Sequence, residues 1–310
     1  MHAFHPTPWL ANHHLQTLVA AVLPAPRLAL TTDVIELPDG DAIEVVRTGP
    51  IAGRPVVLLL HGLEGSQRSS YARALLAAWH ARGWCGVLLH ARGTAQRPNR
   101  KARGYHSGDW SDVAFVVSQL QDQGATAVAA VGVSLGGNVL LKWLGETGAA
   151  CPLRAAVSIS VPFDLAACAD SLSIGFARFY QWHLLRDMRA SVWAKRHLNG
   201  LTRATLTGLT TFRTFDDHLT APQNGFDGVE DYYTRCSCRQ FIGGIVRPTL
   251  MIQAADDPFV PVSSIPTQLP PQVRLQLSAR GGHVGFLHGA WPRSWLPHAV
   301  TTYLEEFLGS

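Results

Sequence analysis

The chain has 310 residues, 47% of them hydrophobic, which suits one large α/β domain or two modest ones and excludes a disordered or fibrous chain. The formal net charge of +4 is spread without long basic runs, so no nucleic-acid partner is expected. Five cysteines, an odd number, argue against a disulfide framework; no apolar run reaches the roughly 18 residues of a membrane span, and the opening stretch lacks the regions of a signal peptide, so cytoplasmic residence is expected.

Residues 33–47, DVIELPDGDAIEVVR, read as two strands about an Asp-Gly turn, an antiparallel hairpin at the start of a sheet. PVVLLLHG then reads as a buried strand. It runs into HGLEG, residues 61–65, where Gly62 lets the backbone turn so that the Leu63 N–H points into a site. His61 is expected to brace that loop.

SYARALLAAWHARG is a helix ending at Gly83, and CGVLLH the next strand. RPNRKARGY, residues 97–105, gathers four cations and reads as a solvated loop or an anion site. In YHSGDWSD, Ser107 to Asp112 read as a helix N-cap with an acidic first turn, although His106 or Asp109 near the site is the alternative. A helix over 110–122 and the strand TAVAAVG follow.

Gly132-Val133-Ser134-Leu135-Gly136 fits G-x-S-x-G, directly after a predicted strand and before a helix over about 136–147. A serine on so sharp a turn takes strained dihedrals, and a side chain two residues either way would strike the neighbouring strand or helix. Ser134 is the expected nucleophile. The helix N-terminus favours developing negative charge, and the Leu135 N–H is one expected oxyanion donor, Leu63 the other.

After the strand RAAVSISV the rhythm breaks, and residues 162–245 carry helix-like pieces without a buried strand. An insertion of that length between two strands is expected to form a cap or lid on one domain spanning 1–310. Phe176, Phe179, Tyr180 and His183 share one helix face, and Phe176, Phe179, Tyr180, Trp182, Tyr232 and Tyr233 are candidate contacts for an acyl chain; packing of that face on the sheet domain is the competing reading.

RPTLMIQA resumes the sheet and delivers Asp256 and Asp257, the candidate acids. Pro258 and the following FVP favour Asp257, and Asp256 stays open. QVRLQLS is the last strand, and PRSWLPHAVTTYLEEFL the closing helix. Between them ARGGHVGFLHG offers His283 on a glycine-made loop tip as the base, with His288 the less constrained competitor. A hydroxyl needs such a base, and the base an orienting acid; the order serine, acid, histidine is that of α/β hydrolases. No H-E-x-x-H is present, Cys236 and Cys238 lack a second ligand pair, and the chemistry calls for no metal and no cofactor.

With NHHLQT, HGLEGSQRSSYAR, ARGTAQRPNR, YHSGDWSD, VGVSLGGNVLLKWLGE, FDDHLTAPQNGF, PTLMIQAADDPFVP and GGHVGFL in place, the chain resembles the YheT-like α/β hydrolases along nearly its whole length. That family includes mammalian abhydrolase-domain lipases and yeast medium-chain ester synthases/esterases. The resemblance implies an α/β-hydrolase fold and a triad of Ser134, one of Asp256 and Asp257, and His283. It also implies esterase or lipase activity on short- to medium-chain acyl esters or acylglycerols. Thr94 and Ala95 depart from the Cys and small residue expected after Arg-Gly, and the membrane anchor of mammalian relatives is not carried over. Transfer of the acyl group to an alcohol, or ligand binding without catalysis, are the rival readings.

Overall fold

The computed structural model describes residues 3–95 and 98–309. Eight strands form one sheet in the order β1-β2-β4-β3-β5-β6-β7-β8. The hairpin is β1 (Thr31–Glu36) and β2 (Ala42–Arg47), antiparallel to each other, with β2 antiparallel to β4 (Cys85–Leu89). All remaining pairings are parallel: β3 (Pro55–Leu60) with β4 and with β5 (Ala127–Val133), then β6 (Ala156–Ile159), β7 (Thr249–Ala254) and β8 (Val273–Ser278) in turn. The expected α/β class and a mostly parallel sheet are what the chain forms.

The central strands are near-continuous apolar runs because both sheet faces are covered. Alternate residues of β3 enter different cores: Val56, Leu58 and Leu60 join one with Val116 and Leu140, whereas Val57 and Leu59 join another with Trp79 and Tyr303. Helices α3 (Ser111–Asp122) and α4 (Leu135–Thr147) therefore cover one face. Helix α2 (Ser70–Ala81) and the closing helix Leu296–Leu308 cover the other.

An element that the sequence reading passed over precedes the sheet. Helix α1 (His13–Val22) is capped by Asn12, whose side chain accepts from the N–H groups of His14 and Leu15. Its buried Gln16 donates to the carbonyls of Leu10 and Leu287 and accepts from the Leu287 N–H at 2.7 Å. The helix is thereby pinned to the far end of the chain.

Between β6 and β7 the chain makes only helices and loops. The longest is α6 (Ala177–Ala194), with α5 (Leu165–Ser171) before it and a further helix at Val229–Cys236. This excursion carries its own core, in which Leu185, Phe212, Leu219 and Tyr232 pack together.

Arg97, the first cation of the 97–105 cluster, lies outside the described residues. The others pair with carboxylates, Arg100 with Glu36 and Lys101 with Asp39 at the solvent-exposed surface, and Arg103 with Asp109 deeper in, so the stretch is a solvated loop laced by ion pairs. Deeper, Arg92 meets Asp39, Asp41 and Asp112, which ties the β1–β2 turn to the start of α3. Trp110, not Ser107, is the residue at which α3 begins, and its side chain makes no capping bond.

Candidate active site

Ser134 sits where β5 turns into α4, with φ 52° and ψ −120°, a region that side-chain-bearing residues avoid. The turn persists because its neighbours leave no alternative. A Cβ on Gly132 would lie 2.5 Å from the Gly136 carbonyl oxygen, and one on Gly136 2.4 Å from that of Leu60. The Ser134 N–H donates to the Ile159 carbonyl at 2.8 Å, anchoring the elbow on β6.

Three loops at the carboxyl ends of the strands bring the remaining groups. Ser134 Oγ lies 3.0 Å from His283 Nε2, and His283 Nδ1 lies 2.9 Å from Asp257 Oδ2. The Asp257 carboxylate is wholly buried and also accepts the Phe259 N–H at 2.8 Å. Phe259 stacks on the imidazole, ring centroids 3.9 Å apart and planes 7° from parallel. Asp256 points elsewhere: its Oδ1 accepts the Gly282 N–H at 3.0 Å and so shapes the loop carrying the histidine. His288 belongs to a short strand pairing with Arg293, away from Ser134.

The histidine loop is held from three sides. The His283 N–H donates to Thr17 Oγ1 of α1 at 2.9 Å, and the Val284 N–H donates to Ser160 Oγ at 2.9 Å. Gly282, at φ 60°, presses so close to α1 that a Cβ would stand 2.5 Å from the His13 carbonyl oxygen.

The loop after β3 faces Ser134 from the other side. Gly62 backs directly on the serine, since a Cβ there would be 3.1 Å from Ser134 Cβ. Among the described residues neither the Leu63 nor the Leu135 N–H has an acceptor, and both leucines line the same cavity as Ser134. His61 braces the loop as expected. Its Nδ1–H donates to the Gly62 carbonyl at 2.6 Å, its Nε2 accepts the Ala91 N–H at 3.2 Å, and burial lowers its basicity. Thr94, the departure from the family pattern, packs 3.1 Å from that Nε2 and donates its hydroxyl hydrogen to the Ala91 carbonyl.

Glu64, which the sequence reading left without a role, joins this loop to the helical excursion. It has φ 52°, its carboxylate accepts from Tyr105 Oη at 3.0 Å and from Ser191 Oγ of α6 at 2.5 Å, and burial raises its pKa. Its N–H in turn donates to Tyr105 Oη at 3.2 Å.

The cavity has about 450 Å³ and is walled on the excursion side by Leu172, Leu184, Met188, Phe212, Phe215 and Leu219. Tyr232 and Tyr233 line it; Phe176, Phe179, Tyr180 and Trp182 do not. Phe176 and Phe179 are exposed, and Tyr180 is buried one layer back, its ring packing on Phe259 and its hydroxyl on His14 Nδ1 at 3.0 Å. Periodicity placed these three on one side of the helix but could not say that Phe176 and Phe179 meet solvent while Tyr180 turns inward behind Phe259. His106 does reach the cavity, where burial lowers its pKa to about 4. Asp216 reaches it too, on a π-helical turn, accepting from Thr220 Oγ1 and Tyr233 Oη; its pKa is raised to about 6 by burial.

No helix among the described residues is long and apolar enough to cross a membrane. The family signature described as the alpha/beta hydrolase fold matches residues 55–290. The YheT protein of Escherichia coli (strain K12) is 39% identical, with 97% of this chain and 94% of that protein covered. The phospholipase ABHD3 of Mus musculus is 31% identical over 94% of this chain and 74% of its own length; the monoacylglycerol lipase of Saccharomyces cerevisiae is 29% identical over 82% and 60%. Among solved structures, the Pyrococcus furiosus esterase Pf2001 superposes with a TM-score of 0.60 at 15% identity, covering 93% of this chain and 96% of that one, a likeness of fold alone. By the elbow, the strand order and these matches, the chain belongs to the α/β-hydrolase family and resembles its YheT-like members.

Proposed function

We propose that the protein is a serine hydrolase of carboxylic esters, with Ser134, His283 and Asp257 as its triad and residues 162–245 as the cap of a single hydrolase domain spanning 1–310. The observation that carries this is the continuous chain of contacts from Ser134 Oγ to His283 to the buried Asp257, opening into an apolar cavity. His283 Nε2 takes the serine proton as Oγ bonds to the ester carbonyl carbon, and the carbonyl electron pair moves onto oxygen. The Leu63 and Leu135 amides donate to that oxyanion. When the carbonyl re-forms, the alkoxide leaves with the proton from His283, and water repeats the sequence to release the acid. Asp257 holds the imidazole and balances its charge in both halves.

A cavity of this size with a mostly aliphatic wall supports a short- to medium-chain acyl group, and the lipase and phospholipase names of the relatives point the same way. The test is hydrolysis of p-nitrophenyl esters from acetate to palmitate by wild type and Ser134→Ala, with fluorophosphonate labelling of both. Labelling and turnover are expected to vanish together, with kcat down about a thousandfold or more. Equal turnover by the variant would reject the nucleophile.

A further inference from the structure

Among the described residues lining the cavity, only Ala21 and His183 are exposed, which locates its mouth between α1 and α6. At the other end of α1 the ring of His14 meets that of Phe176, the residue before α6, with centroids 4.5 Å apart. Around that mouth both helices turn large apolar side chains to solvent. Leu15, Leu18 and Val22 do so on α1, and Phe176, Phe179 and Trp182 at the start of α6. Isolated exposed apolar residues need no account, but a cluster from two adjoining helices does.

The charge around the cluster is one-sided. Residues 1–32 and 171–186 contain no Asp or Glu, yet carry exposed Arg27, Arg178 and Arg186. The acids that flank the second stretch are already engaged, Asp170 by Arg213 and Asp187 by Arg186. Apolar side chains bordered by Arg27 and Arg178, with the acid at the mouth, Asp187, paired to Arg186, suit the headgroup boundary of an anionic lipid surface, where Trp and Phe sit at headgroup depth and Arg meets phosphate. A second copy of the chain fits less well, because a two-fold contact would set the same cations against themselves.

We infer that the α1–α6 face docks the protein on an anionic lipid surface, with the cavity mouth turned toward the lipid. The inference rests on the ester-hydrolase reading for what enters the cavity, though not for the docking itself. The docking is tested on the Ser134→Ala chain, so that no hydrolysis intervenes, by co-sedimentation with vesicles of phosphatidylglycerol and phosphatidylcholine in equal parts. Binding is expected, weaker on phosphatidylcholine alone. Adding Val22→Asp and Trp182→Asp is expected to weaken it about tenfold or more.

With Ser134 restored, the same pair of substitutions should leave turnover of soluble p-nitrophenyl butyrate unchanged and lower turnover of emulsified medium-chain ester. Absence of vesicle binding, or equal binding by the substituted chain, overturns the inference. So does a dimer in sedimentation equilibrium that the substitutions dissolve. Vesicle binding by a chain whose wild type hydrolyses no ester would reject the proposed function and leave the docking intact.

Discussion

The imidazole of His283 lies flat on the ring of Phe259, 3.9 Å between centroids, while the Phe259 backbone N–H donates to the same Asp257 carboxylate that receives the imidazole. One residue thus fixes both the plane of the base and the position of its acid. Phe259→Leu keeps apolar volume and the backbone donor but removes the flat contact. It is expected to lower kcat about tenfold while Tm moves by only a few degrees. Unchanged kcat would reduce the stack to ordinary packing.

The adjacent carboxylates separate by what they hold. Asp257→Asn leaves the geometry but presents a donor where the imidazole N–H needs an acceptor, so kcat should fall about ten-thousandfold. Asp256→Asn keeps an oxygen for the Gly282 N–H and should cost less than about tenfold. Paired kcat measurements check the order, and an inverted order would reassign the acid.

Two glycines near Ser134 should respond differently to the same added methyl. At Gly62 the new Cβ meets Ser134 Cβ at 3.1 Å, so Gly62→Ala is expected to fold and to lose about tenfold or more in kcat. At Gly136 it meets the backbone oxygens of Leu60 and His61 at 2.4 and 2.6 Å, and neither can move without the sheet. Gly136→Ala should cost about 3 kcal/mol or more in urea denaturation.

Glu64 accepts two hydroxyl bonds, so Glu64→Ala is expected to cost about 1 kcal/mol for each and to lower kcat through the neighbouring Leu63 amide. Glu64→Gln retains one acceptor and should recover part of both. Ser191→Ala, altering only the α6 end, should show the smaller loss, and a larger loss there than in Glu64→Ala would contradict this arrangement.

Asp216 ties stability to pH. Because burial raises its pKa to about 6, the folded chain holds more proton than the unfolded chain between the ordinary carboxylate range and that value. Its contribution therefore falls as pH rises through the window. Asp216→Asn removes the term, so its stability relative to wild type should improve by about 1–3 kcal/mol between about pH 4 and about pH 8. A difference that stays constant with pH would place the carboxyl's titration elsewhere.

The serine elbow, the Asp-Asp-Pro loop and the Gly-Gly-His loop were legible because each is a local pattern at a strand end, where backbone sterics force particular residue types. The strands were legible because parallel pairing buries both faces. Helix α1 was missed: its one buried residue is polar Gln16, and nothing in the neighbouring sequence reports that its partner, Leu287, lies near the other terminus. Phe176, Phe179 and Tyr180 were misplaced because periodicity gives a shared face but not its direction. Phe259 and Glu64 carried no pattern at all, since a stacked ring and a buried carboxylate take their meaning from neighbours distant in sequence.

The bond from the His283 N–H to Thr17 spans 266 positions of the chain. During synthesis from the N-terminus, α1 must wait unpaired while nearly all of the sheet is made, and the base stays unclamped until residues 282–288 emerge and meet it. During synthesis, closure of the candidate site is therefore among the last contacts the chain can make, one of high contact order. On the proposed mechanism, a nascent chain lacking its final segment carries the serine elbow without the imidazole that is to take its proton.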